Sequence, residues 1–166
     1  MRKFTLLSLL LFAFFSGQAQ KGLFASFDHD FDTILDHLSE QEGMAFLSID
    51  LDREIKMEYN NTETTFLFNK GTLYKLSMEL TFEKDSLLIS HFQKALNQIE
   101  SIDARKVSQS DSGNDVIAIK DGAVLELHII QKENGDSRLI ISCKKAKNTP
   151  KDELESYDLM VDDVFI

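Results

Sequence analysis

Between Thr72 and Ile102 the hydrophobic period of the chain changes once. Tyr74, Leu76, Met78, Leu80 and Phe82 are apolar and Lys75, Ser77, Glu79 and Thr81 between them are polar, which is the alternation of a strand with one buried face. After Asp85, a good N-cap, Leu88, Phe92, Ala95, Leu96, Ile99 and Ile102 recur at three- and four-residue spacing, forming one apolar helix stripe. A sheet face followed at once by a helix stripe predicts that one covers the other. Each large side chain buried there contributes up to about 1.5–3 kcal/mol, so this unit is expected to centre the core.

The flanking pattern extends the scheme on both sides. Phe24, Phe27, Phe31, Ile34, Leu35 and Leu38 predict a helix from about Ser26 to Gln41, with Gly43 placed to end it. From Ala45 to Tyr59 the odd positions are apolar apart from Arg53. That length is too great for one regular strand, so a bend or bulge is expected near Asp52 and Arg53, or a split into two pieces there. Thr64 to Phe68 predicts a short strand. Face matching across Asn69, Lys70 and Gly71 favours a three-residue loop that sets Phe66 opposite Tyr74. Asp103 to Asp115 reads as a polar connector. Val116 to Ile119, Ala123 to Lys132 and Ser137 to Lys144 read as strands, and a loop of Glu133, Asn134 and Gly135 sets Leu127 opposite Ile141 and Leu125 opposite Cys143. Thr149 as N-cap and Pro150 at the first helical position predict a short helix over 150–163.

The expected fold is therefore α+β: an antiparallel sheet of about six strands with two main helices on one face, in the order α-βββ-α-βββ-short α. The helices and glycine loops of the two halves recur at offsets of 60 and 64 residues, which hints at a doubled helix-plus-strands unit. In element order the chain is similar to the small acidic chaperones of bacterial secretion systems. That is a likeness of layout with no motif behind it.

The N-terminus then changes the picture. Arg2 and Lys3, an apolar run from Phe4 to Phe15 and small residues up to Ala19 have the form of a secretory signal peptide at 1–19, leaving 20–166 as one domain. The apolar run is too short to span a bilayer of about 30 Å as a helix. These features place the protein outside the cytoplasm, in the periplasm or medium if bacterial, with no stable membrane insertion after cleavage, and they speak against a cytoplasmic chaperone. The formal net charge is −10, and removing Arg2 and Lys3 makes it −12. Nucleic acid is excluded as a partner class, because phosphate binding requires a basic footprint. Cys143 is the single cysteine, so no disulfide forms within the chain.

Candidate chemistry is sparse. His29, Asp32, Asp36 and Glu40 share one face of the first predicted helix and could hold zinc or calcium, but that face lies opposite the apolar stripe, where solvated charges belong. Asp50, Asp52, Glu54 and Glu58 make an acidic row on a strand. His91 and His128 fall on polar faces, and Cys143 on an apolar one. No nucleophile elbow, phosphate-binding glycine loop, His-Glu-x-x-His or EF-hand loop occurs, and no cofactor is implied. This points away from an enzyme and toward an exported binding or structural module. The alternative is a hydrolase or metal-dependent enzyme whose site only the fold would assemble. A partner, either another exported protein or a second copy, would add a strand at an open sheet edge. Val116, Ile117, Ala118 and Ile119, apolar on both faces beside a polar connector, are the candidate edge; the other reading of the same pattern is a central strand packed on both faces.

Overall fold

The computed structural model describes residues 29–40, 45–59, 62–101, 104–110, 112–120, 122–131 and 136–150. Helix α1 (Phe31–Ser39) is followed by strands β1 (Ala45–Asp50), β2 (Glu54–Tyr59), β3 (Thr62–Asn69) and β4 (Thr72–Phe82). Helix α2 (Asp85–Ser101) is followed by β5 (Arg105–Gln109), β6 (Asp115–Lys120), β7 (Ala123–Ile130) and β8 (Ser137–Lys145), and a 3-10 turn (Ala146–Asn148) closes the described chain. All eight strands form one antiparallel sheet in the order β1-β2-β3-β4-β8-β7-β6-β5. Each half contributes a helix and four strands, and β4 and β8 meet at the middle.

The sheet is thus larger than the expected six strands, for two reasons. The long alternating run is broken at Leu51–Arg53, where Asp52 takes φ +62 and Arg53 N donates to Asp50 O at 3.0 Å. The chain folds back there, making β1 and β2. The supposed connector holds a further strand, β5, which its polar sequence hides.

One core fills one face of the sheet. From α2 come Phe92, Ala95 and Ile99, and from α1 Phe31 and Ile34. They meet Leu76, Met78 and Leu80 of β4, Leu125 and Leu127 of β7, and Leu139, Ile141 and Cys143 of β8. The α2 stripe therefore packs as its spacing requires, over β4, β7 and β8. The opposite face carries a buried pair, Glu126 and Lys144, 3.6 Å apart, with Ser142 Oγ donating to Glu126 at 2.6 Å. A charge buried this far has to be answered by a partner.

Helix α1 starts later than the periodicity suggests. Asp30 is extended, forms a bridge to Thr72 and caps the helix by accepting from Thr33 N at 2.9 Å. Hydrogen bonds from Thr33 hold its carboxyl below the usual range. His29 O and Gly71 O accept from Leu73 N and Phe31 N, so residues 29 and 30 serve the sheet instead of a helical turn.

The β3–β4 hairpin corrects the expected register. Lys70 (φ +52) and Gly71 (φ +76) form a two-residue loop closed by Asn69 opposite Thr72, the mirror-image turn that suits strand twist. Such a loop alone would turn the apolar residues of β4 to the wrong face. A bulge at Tyr74 removes the conflict: Phe68 faces Leu73, Leu67 faces Lys75, and Phe66 faces Leu76 instead of Tyr74. Leu73 then joins the core beside Phe68, whose ring meets Phe31 edge-on at 5.0 Å. The β7–β8 register is as expected, with Leu127 opposite Ile141 and Leu125 opposite Cys143.

The proposed signal peptide at 1–19 lies outside the described residues, as does the expected C-terminal helix apart from Pro150. Thr149 is buried and donates its hydroxyl to Lys145 O at 2.9 Å.

Candidate functional site

The candidate edge at Val116–Ile119 is not an edge. Strand β6 pairs with β5 on one side and β7 on the other. Val116 and Ala118 are fully buried in the core, while Ile117 and Ile119 on the other face are half-buried.

Among the described residues the outermost strands of the sheet are β1 and β5, and they occupy equivalent places. Strand β1 has its bulge between Phe46 and Ser48, and β5 has its bulge between Lys106 and Ser108, each 60 residues further on. At that offset Ala45, Phe46, Ser48 and Ile49 of β1 correspond to Arg105, Lys106, Ser108 and Gln109 of β5. Edge strands present unpaired backbone groups, and long charged side chains are a standard protection against unwanted pairing. Strand β5 carries that protection, with Lys106 held to Glu100 of α2 at 2.6 Å.

Strand β1 carries the opposite. All its residues are exposed, among them Phe46, Leu47 and Ile49, and Leu51 follows in the turn. The core runs out between β2 and β1: Ile55 is 0% exposed, whereas Ile49 directly across from it is 48% exposed. Helix α2 sits over β4, β7 and β8, away from this rim. At the end of β1 lies an open cavity of about 750 Å³ between the β1–β2 and β3–β4 turns, lined by Asp50, Asp52, Arg53, Lys70 and Tyr74 among others. The Arg53 carbonyl accepts from Phe68 N at 2.8 Å, which fixes one turn against the other. Periodicity identified β1 as a strand; that it lies at the rim depends on strand order.

The candidate metal ligands are placed without converging. His29 precedes α1, Asp32 and Asp36 lie along it, and Glu40 is its C-cap. Among the described residues no three His, Cys, Asp or Glu side chains are grouped to hold an ion. His29 packs its ring edge against His37 at 6.3 Å. The hairpin draws part of the acidic row together: Asp50 and Glu54 face each other across β1 and β2, Asp52 is in the turn, and all three line the cavity at the end of β1 beside Arg53.

A second open cavity of about 670 Å³ has acidic walls that include Glu58, Glu63 and Glu79. Glu63 binds Lys56 at 2.7 Å and Glu79 binds Arg138 at 2.6 Å. The bond to Glu63 raises the pKa of Lys56.

His128 Nδ1 lies 2.6 Å from Asp115 Oδ1, the orienting half of a catalytic pair. The serine hydroxyls of that loop are committed locally: Ser110 Oγ accepts from Asp115 N and bonds Ser112 Oγ. His91 Nδ1 bonds Leu87 O at 2.9 Å. Burial pushes the Cys143 thiol up to about 12, far from the thiolate a nucleophile requires.

No protein-family model, curated protein or solved structure matches the chain. Among the described residues, no helix is long and apolar enough to cross a membrane.

Proposed function

We propose that this protein is an exported, non-enzymatic binding module that takes an extended segment of a partner onto the outer edge of β1. The observation that carries this reading is the contrast between two equivalent edges: one bears Arg105, Lys106 and Gln109, the other Ala45, Phe46 and Ile49. Strand addition uses the exposed backbone row for affinity and the side chains beside it for selectivity. The exposed Phe46, Leu47 and Ile49 provide the apolar contacts. Export rests on the N-terminal pattern of Arg2, Lys3, the apolar run and Ala19.

The test is a photo-crosslinking amino acid placed at Ser48 on β1 and, separately, at Ser108 on β5, in the exporting cell. Adducts from position 48 and not from 108 are expected. Equal labelling from both positions, or none from 48, contradicts the reading. Turnover of generic esters, glycosides or peptides by the purified protein would favour the hydrolase alternative instead.

A further inference from the structure

We infer that the occupant of β1 is the β1 strand of a second copy of this chain, paired antiparallel about a two-fold axis. The inference rests on the docking role of β1 proposed above and names its partner.

Face matching is the first argument. Phe46 lies opposite Met57 and Ile49 opposite Ile55, and both of those neighbours are buried. The bulge at Leu47 therefore leaves Phe46 and Ile49 on the same, helix-bearing side of the sheet, although they are an odd number of residues apart. An antiparallel pair centred between Leu47 and Ser48 sets Phe46 of each copy opposite Ile49 of the other. The two contacts are identical by symmetry, as a closed isologous interface requires, and each is an aromatic side chain against a β-branched one.

Charge supplies the second argument. Asp50 is the only charged residue on β1. In this register it lies opposite Ala45 of the other copy. Because of the bulge, the two Asp50 side chains stand four strand rises apart, about 13 Å at the usual rise. Salt screens charges over about 8 Å, so the two Asp50 carboxylates do not meet at the contact. Parallel pairing would stack Asp50 on Asp50.

The other edge limits the assembly. With Arg105 and Lys106 on β5, the far rim of each copy is protected and association stops at two. A six-residue strand pair is at the small end of interface sizes, so dimerisation is expected to depend on concentration.

The test is sedimentation velocity of the purified protein over a hundredfold concentration range, paired with hydrogen exchange. A monomer-to-dimer shift is expected, with exchange at β1 slowing as dimer forms and exchange at β5 unchanged. Ile49→Lys and Leu47→Lys, both at exposed positions, should each weaken dimerisation at least tenfold, and Gln109→Lys should leave it alone. A protein monomeric throughout, or a dimer indifferent to Ile49→Lys and Leu47→Lys, overturns the inference. If the protein is monomeric and another exported protein protects β1, only the identity of the occupant was wrong. If nothing protects β1, the docking reading falls with it.

Discussion

Phe46 of β1 and Lys106 of β5 hold equivalent places in the two halves of the molecule, each just before a bulge in the outermost strand of its half. A phenylalanine 38% exposed at one rim and a lysine paired with Glu100 at the other make the sheet two-sided in chemistry although it is nearly symmetric in layout. The lysine edge resists pairing and the phenylalanine edge invites it.

That asymmetry has a stability signature. Ile49 and Ile55 are cross-strand neighbours, yet only Ile55 is buried. Ile55→Ala should cost about 2–5 kcal/mol, whereas Ile49→Lys should change stability by no more than about 0.5 kcal/mol. Urea titration at a concentration where the protein is monomeric measures both. Comparable losses would mean that β1 is not a bare edge.

The β3–β4 turn offers a test of backbone conformation alone. A Cβ at Gly71 would meet nothing within 4 Å, but the residue has φ +76. Gly71→Ala should therefore destabilise by about 1–2 kcal/mol through the left-handed conformation and not through a clash. Lys70→Gly, at φ +52, should be neutral or slightly stabilising. A stabilising Gly71→Ala would contradict the two-residue loop.

The hairpins also show how much of the fold the chain reveals in advance. Leu127 opposite Ile141 follows from alternation alone, because both strands are regular. Phe66 was displaced by two positions, because face matching has two solutions: a longer loop, or a short loop with a bulge. Nothing in the sequence marks Lys70 as left-handed or Tyr74 as the bulge. Strand β5 was hidden for another reason: an edge strand that protects itself with Arg105 and Lys106 shows no apolar alternation. Strand order also decides which strand is the outer edge. Val116–Ile119 and Ala45–Asp50 differ in strand order, a property of long-range pairing that local pattern does not encode.

Cys143 gives the protein an alkaline limit. Burial, with a smaller contribution from Glu126 and opposed by Lys145, raises its thiol to about 12, against about 8.5 in an unfolded chain. Between those values the unfolded state has lost a proton that the folded state keeps, so stability falls as pH rises, by at most about 1.4 kcal/mol per unit. Cys143→Ala should flatten the decline seen between pH 8 and 10, and a thiol reagent should label wild-type protein only on unfolding. Identical pH slopes for the two proteins would contradict this account.

Export makes its own prediction. Mass spectrometry of the mature protein should find Gln20 as the first residue, either as such or cyclised. Recovery of chains beginning at Met1 from a soluble fraction would rule out cleavage after Ala19.

Whether β1 receives a strand, as proposed, is tested most directly by residue-resolved hydrogen exchange. In dilute protein, amides of Phe46–Asp50 that point away from β2 should exchange fast. They should slow markedly when the partner, a second copy at higher concentration or another exported protein, is present, while Arg105–Gln109 stays unchanged. Slow exchange along β1 in the dilute monomer, or fast exchange that no partner alters, would contradict the claim.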